Sequence, residues 1–361
     1  YSYESQGEEV LEVARKTLRI ALIGAGTIGR THATRSADVK GAKLQVVVDI
    51  DETRARAVQE TAGAPERAAD YKEVLARDDI DAVIICLPTW LHEEVAVAAA
   101  EHGKHILCEK PMALDVASAR RMHEAARRAG VVLMIAQCRR FSQDWLKVRE
   151  LIRSGAIGRP AVIRTVRALR LAEGWFVQEG KGNGPLLDGA VHDYDFARYT
   201  FGEATQVMAS GMTFRADATA VDTGTAIIRF EHGDELVVSW SWGLPPGARG
   251  GYLHDVIGPK GAIFFERSTR PDFARLPAPD AGCGAVVIDR GQAGGIEQVP
   301  YPLRDMYLDQ LQAFVDAVHA GGPSPVDGIE GMKAVAIGQA VLESARTGRV
   351  VTLERGLPSV C

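Results

Sequence analysis

The stretch Leu18-Arg-Ile-Ala-Leu-Ile-Gly-Ala-Gly-Thr-Ile-Gly29 decides how the rest of the chain is read. Its first six residues are apolar apart from Arg19 and stop at glycine, the pattern of a buried strand. A helical pattern follows from Ile28 to Ala37, so the glycines fall on a strand-to-helix turn. Gly24 permits the tight turn, Gly26 lets backbone approach a pyrophosphate, and Gly29 lets helix and strand pack closely. Around Thr27 and Ile28 the helix opens with unpaired N–H groups and a positive dipole end, a seat for phosphates. A second strand, Lys43–Asp49, ends in an acid twenty residues after Gly29. Asp49 can accept hydrogen bonds from an adenosine ribose diol and repels a 2′-phosphate, and no Lys or Arg follows until Arg54. NAD is therefore the expected cofactor ahead of NADP. The alternative is a plain glycine turn beside an acidic loop.

Working outward, the alternation of short β-rich runs and helices continues. Arg54–Ala62 reads as a helix, Ala82–Leu87 as a strand buried on both faces, and His92–His102 as an Ala-rich helix. His105–Cys108, Val116–Ala129 and Val131–Ala136 then read as strand, helix and strand. Strands separated by helices imply βαβ units and a parallel sheet. Beyond about residue 140 the texture changes. Trp145–Ser154 is helical, and Gly158-Arg-Pro160 breaks it. Ala161–Ala168, Thr205–Met212, Thr223–Phe230, Glu235–Trp240, Leu253–Ile257 and Ala262–Glu266 follow as β runs joined by turns, which implies an antiparallel sheet. Asp305–Ala320 and Ile329–Ala345 are late helices. The fold class expected is α/β, a doubly wound parallel domain, followed by an α+β domain with an open, mainly antiparallel sheet.

The 361 residues suit about two domains. A composition 46% apolar and 25% charged excludes a disordered chain. With 47 acids against 42 bases there is no basic surplus for nucleic acid. The longest apolar runs fall far short of the roughly 18 residues of a membrane span. Five scattered cysteines without a C-x-x-C pair read as reduced, buried thiols. Tyr1–Lys16 lacks the apolar centre of a signal peptide, so a cytoplasmic protein is expected, with export the minority alternative.

Two motifs lie just beyond strand carboxyl ends, where open parallel sheets bind ligands. One is Leu87-Pro-Thr-Trp-Leu-His92 and the other Cys108-Glu-Lys-Pro111. A lysine delivered into that crevice can donate to a substrate oxygen; by spacing alone a surface Glu-Lys loop is the favoured reading. The second half of the chain offers Asp188 and His192, four apart and therefore on one helix face. An imidazole titrates near neutrality, as a base for an alcohol should, and a carboxylate one turn away can orient it. Asp188 as a helix cap and His192 as a core histidine are the structural alternatives. No metal is expected, because Asp193 and Asp195 point away from the His192 face.

Gly24–Gly29, Glu109-Lys110-Pro111 and Asp188-x-x-x-His192, in this order, resemble the Gfo/Idh/MocA oxidoreductases. The likeness runs from about Leu18 to Glu354. It implies a Rossmann NAD-binding domain (17–140) and an α+β substrate-binding and oligomerisation domain (141–361), with residues 1–16 as an arm. A closing helix, 329–345, would pack back on the first domain, and the open sheet would build a homo-oligomer, a dimer or tetramer. The resemblance also implies Lys110, Asp188 and His192 as catalytic, with Leu87, Thr89, His92 and Glu109 near the cofactor. His192-Asp-Tyr-Asp195 looks most like the inositol dehydrogenases, and Gly251–Gly258 is similar to a segment whose Tyr contacts substrate, pointing to Tyr252. Leu253-His254-Asp255 departs from the D-Q-R usual there. Trp175 and Glu173 are candidate pocket lining. The reaction implied is NAD-dependent oxidation of a secondary hydroxyl on a cyclitol or pyranose. The alternatives are an NADP-linked sugar dehydrogenase or reductase, an NAD-retaining glycoside hydrolase, and a non-catalytic sugar or nicotinamide sensor.

Overall fold

The protein is described from a computed structural model covering residues 17–169, 174–265, 273, 276–354 and 357–358. The expected arm at 1–16 and the pocket candidate Glu173 lie outside the described residues. Strand β1 (Leu18–Ile23) is buried almost throughout and leads into α1 (Thr27–Arg35), then β2 (Ala42–Val48) and α2 (Glu52–Ala62). Asp51 caps α2 by accepting the amides of Thr53 and Arg54, and Gly63 ends it in the left-handed conformation. β3 (Glu66–Ala68) and α3 (Tyr71–Leu75) precede β4 (Ala82–Ile85), whose four residues are all buried. α4 (His92–Glu101), β5 (His105–Cys108), α5 (Val116–Ala129) and β6 (Leu133–Ile135) complete this half.

The six strands lie in the order β3-β2-β1-β4-β5-β6 and every pair is parallel. The order reverses between β1 and β4, and a ligand crevice opens at the carboxyl ends beside such a switch point. Aliphatic runs such as Ala82–Ile85, too apolar to face water on either side, are what commit this sheet to helical cover on both faces.

The second sheet has ten strands. α6 (Gln143–Arg153) precedes β7 (Val162–Ala168); α7 (Val191–Phe201) precedes β8 (Ala204–Met212), β9 (Thr223–Phe230) and β10 (Glu235–Ser241). β11 (Gly251–Gly258), β12 (Gly261–Phe264), β13 (Cys283–Asp289), the single turn α8 (Gly291–Gly294) and β14 (Ile296–Pro302) follow. After α9 (Met306–Ala320) and α10 (Gly328–Thr347), β15 (Val351–Glu354) and β16 (Leu357–Pro358) end the sheet. The order is β14-β13-β12-β11-β7-β10-β9-β8-β15-β16, antiparallel except for the parallel pair β7–β10.

β13 and β14 escape a reading by pattern. β14 carries Pro300 and Pro302 and forms the sheet edge, where proline is tolerated because no partner needs its missing N–H.

Each sheet has its own apolar core, and α10 contributes to both: Met332 and Val335 to the first, Ile337, Ala340 and Val341 to the second. At its start, Glu330 accepts from Arg140 at 2.7 Å and pairs with Arg198, while Arg140 grips Asp195 of α7 at 2.6 and 2.8 Å. The face of the second sheet away from these helices exposes Val166, Met208, Met212 and Ile257. Among the described residues, no helix is long and apolar enough to cross a membrane.

Candidate active site

Gly24 has φ +102°, and a Cβ there would stand 2.4 Å from the Cys86 carbonyl oxygen, so only glycine fits where β1 turns into α1. Gly26 differs. Its φ is an ordinary −73°, and a Cβ would meet nothing within 4 Å. Its missing side chain leaves open space against backbone. α1 begins there with no side-chain cap and no acid in its first turn, so its positive end is unneutralised. An open cradle before a bare helix N-terminus fits a dinucleotide pyrophosphate.

Asp49 sits just past the end of β2. Its carboxylate accepts the amide of Ala25 at 2.8 Å, the amide of Asp51 at 2.9 Å and the Arg54 guanidinium at 2.8 Å. Burial opposes its ionisation, but the hydrogen bonds from Arg54, Asp51 and Ala25 prevail and hold the carboxyl below its usual range. Only the sequence distance to Arg54 was legible beforehand; the pairing is tertiary.

From this cradle a cavity of about 980 Å3 runs between the two sheets. Gly24, Gly26, Thr27, Ile28 and Asp49 line one end, Leu87, Thr89, Glu109 and Lys110 the middle, and Trp175, Asp188 and His192 the other end. Two expected residues fall outside it. Tyr252, on β11, does not line the cavity, although it is the cross-strand partner of Arg167, which does. His92 is 1% exposed, with Nδ1 2.9 Å from the Pro111 carbonyl and Nε2 2.8 Å from the Leu87 carbonyl. Burial lowers its pKa despite both carbonyls, so the neutral ring donates to one of them at a time. His92 thus braces the two loops carrying Thr89 and Lys110.

The loop after β5 delivers Lys110. Its ammonium donates to the Asp188 carbonyl at 3.1 Å and to Asp188 Oδ1 at 3.2 Å, while Thr89 Oγ1 donates to Oδ2 at 3.3 Å. This corrects the one-face reading of Asp188 and His192. Asp188 lies in a π-helical turn, Pro185–Gly189, that ends before α7 begins, and its carboxylate is turned to Lys110 and Thr89. The wider turn breaks the i, i+4 geometry that a continuous α-helix would impose. Tyr194, whose hydroxyl donates to the Leu186 carbonyl at 2.8 Å, ties that turn to α7.

His192 stands at the second position of α7, with Nδ1 buried and without a hydrogen-bond partner among the described residues. Burial, reinforced by Lys110, Arg139 and Arg167, pushes its pKa well below the ordinary imidazole value. Asp193 and Asp195 do point away from it: Asp193 pairs with Arg139 and accepts the Trp240 indole N–H at 2.7 Å, and Asp195 holds Arg140. Glu109 binds His32 Nε2 at 2.8 Å and accepts the Lys110 amide.

Pattern reading missed several cavity residues. Trp90 lies inside the quoted Leu87–His92 motif and meets Trp175 edge-to-face at 5.2 Å, while Trp175 stacks on Phe176 at 3.8 Å. Tyr307, at the start of α9, meets the His32 ring edge-to-face at 6.0 Å. No periodicity announces a residue brought in from another domain.

The comparisons with known proteins agree with this geometry. Residues 18–137 match the Gfo/Idh/MocA family model described as an oxidoreductase family with an NAD-binding Rossmann fold, and residues 145–264 match the GFO/IDH/MocA C-terminal domain. The chain is 32% identical over 349 residues to the myo-inositol 2-dehydrogenase of Thermotoga maritima (strain MSB8), covering 93% of this chain and 99% of that protein. It is 30% identical over 348 residues to the scyllo-inositol 2-dehydrogenase (NAD(+)) of Bacillus subtilis (strain 168), covering 93% and 96%. Among solved structures, levoglucosan dehydrogenase in complex with NADH and L-sorbose aligns with a TM-score of 0.80 at 25% identity, over 93% of this chain and 99% of that one. The chain belongs to the Gfo/Idh/MocA oxidoreductase family. It is an enzyme of that class, and its first domain is a Rossmann domain that binds NAD.

Proposed function

We propose that this protein is an NAD-dependent dehydrogenase that oxidises a secondary hydroxyl of a cyclitol or pyranose ring. The observation that carries the reading is the continuous cavity joining the Gly24–Gly29 cradle to Lys110, Asp188 and His192. NAD+, when bound, accepts the hydride from the carbinol carbon. The chain's own groups handle the oxygen and its proton. Lys110, held by the carbonyl and carboxylate of Asp188, donates to the substrate oxygen and stabilises negative charge as it develops there. His192, held neutral by burial and by the nearby cations, takes the hydroxyl proton at Nε2, its Nδ1 being buried. Asp188 positions Lys110 rather than His192. Trp90, Trp175 and Phe176 offer an aromatic cluster to the C–H face of a ring substrate.

Two further parts belong to this reading. The open face of the second sheet, on which Val166, Met208, Met212 and Ile257 are exposed, is assigned to a second copy of the chain, giving a homodimer or homotetramer. A cytoplasmic location is assigned from the free cysteines Cys86, Cys108, Cys138 and Cys283 and from the need for a supply of NAD+.

The test is nicotinamide reduction by the purified protein on a panel of cyclitols and pyranoses. Lys110→Ala and His192→Ala should each lower turnover by roughly 10²- to 10⁴-fold while NADH still binds. Full activity in both variants would remove the assignment.

A further inference from the structure

Arg167 is not explained by the reaction as described. On β7, Ile163 and Thr165 point into the core and are 1% exposed, and Arg167 continues the same side of the strand. At the strand's end that side opens into the cavity, so Arg167 joins Lys110, Asp188 and His192 in its lining. The neighbouring strands place Trp240 and Tyr252 in register with it, and its guanidinium lies 5.1 Å above the Trp240 ring.

Among the described residues, nothing accepts a hydrogen bond from this guanidinium and no carboxylate pairs with it. The nearby acids are engaged elsewhere: Asp188 with Lys110 and Thr89, Asp193 with Arg139 and Trp240, Glu109 with His32. Arg164, three residues earlier on the opposite side of the strand, shows the contrast, because it forms a two-pronged bond with Asp255 at 2.5 and 2.8 Å. A partly buried guanidinium left without an anion is costly, and burial lowers the pKa of Arg167 with Arg139 adding to it. Among the described residues, the fold therefore leaves this cation without an anion beside the proposed reaction centre. Its two-pronged donor geometry matches a carboxylate. Among the described residues at this end, Lys110 and Arg139 are already paired and Lys181 lies 5.7 Å from the Trp90 ring centroid, so the two-pronged donor left open is Arg167, which matches a single carboxylate.

We propose that the substrate of this enzyme is a polyhydroxy acid, a sugar or cyclitol bearing one carboxylate that Arg167 holds while a ring hydroxyl reaches Lys110 and His192. The carboxylate takes no part in the bond changes; it sets which molecule binds and in what orientation. The inference rests on the dehydrogenase reading for its hydroxyl chemistry but not for the anion site.

The experiment compares D-glucuronate and D-galacturonate with D-glucose, D-galactose and the uronate methyl esters, using NAD+ and the full-length enzyme. At least one acid should exceed its neutral partners in kcat/KM by about 30-fold, and Arg167→Met should shrink that ratio by about 30-fold, abolishing the preference. Arg167→Lys, which keeps the charge and loses the fork, should shrink it by about tenfold and covers the case in which the methionine variant fails to fold. Neutral sugars that match or exceed the acids, or a ratio unchanged in both variants, overturn the proposal. Binding separates it from the dehydrogenase reading. If no compound is oxidised, glucuronate should still quench tryptophan fluorescence of the NADH-loaded protein, with a Kd raised at least tenfold by Arg167→Met. Absence of that binding, or Arg167-dependent binding of glucose 6-phosphate alone, overturns it.

Discussion

Asp49 holds three donors at once, and one of them, Arg54, is a cation within reach of the adenosine end of the cavity. While the pair is intact, the carboxylate can accept the ribose diol and its charge opposes a 2′-phosphate. In Asp49→Ser the repulsion goes, and Arg54 is released to meet a phosphate. The kcat/KM preference for NAD+ over NADP+ should therefore fall by roughly 10- to 100-fold, read from parallel assays with both cofactors. His192 gives a second prediction at this scale. A base acts in its neutral form, and here burial and three cations disfavour the protonated form. As pH falls, kcat/KM for oxidation should stay level through about 6.5, the ordinary imidazole value, and decline only at lower pH. A pH–rate profile with its acid limb at or above that value would contradict the assigned environment. Lys110, Asp188 and His192 could be singled out in sequence as candidates, and the structure brings them to one cavity. Their pairing was not legible, because the spacing of Asp188 and His192 suits an α-helix and the chain forms a π-helical turn there instead.

At the scale of elements, the β1–α1 turn separates two uses of glycine. Gly24→Ala forces a side chain into a left-handed φ and against the Cys86 carbonyl, so it should destabilise the protein by about 1–3 kcal/mol from backbone strain alone. Gly26→Ala adds a methyl group in open space at an ordinary φ and should leave stability within about 0.5 kcal/mol. That methyl stands where the pyrophosphate must approach, so NADH affinity should fall. Denaturant melts paired with NADH titrations check both variants, and equal effects on stability would refute the distinction. The parallel strands were legible because each is a short aliphatic run between helical patterns. β3, with the residues Glu66-Arg-Ala68, was not, since its pairing with β2 rather than its composition makes it a strand.

For the whole molecule, α10 spans both cores, and Glu330 at its start gathers Arg140 and Arg198, so the two sheets are held in one arrangement around the cavity. The outer face of the ten-stranded sheet exposes Met208 (52%) and Met212 (49%) among polar side chains such as Thr225 and Arg229. Exposed apolar side chains on an open sheet face offer a surface for a second copy. Sedimentation of the native protein should show a dimer or tetramer, and Met208→Arg, which places a charge in that face, should shift it towards monomer. A monomeric native protein would remove the oligomer from the proposed function.

The sequence by itself determined the class of fold, the cofactor turn and the residues proposed for the chemistry. These depend on local periodicity, on glycines required by backbone geometry, and on acids and bases within short motifs. Tertiary structure decided the partnerships. Asp188 serves Lys110, His92 braces two loops, Arg54 meets Asp49, and Arg167 stands in the cavity without an anion among the described residues. Such relations join different elements, some of them, like Lys110 and Asp188, distant in sequence. They are fixed by how two sheets and a shared helix pack, which no local pattern encodes.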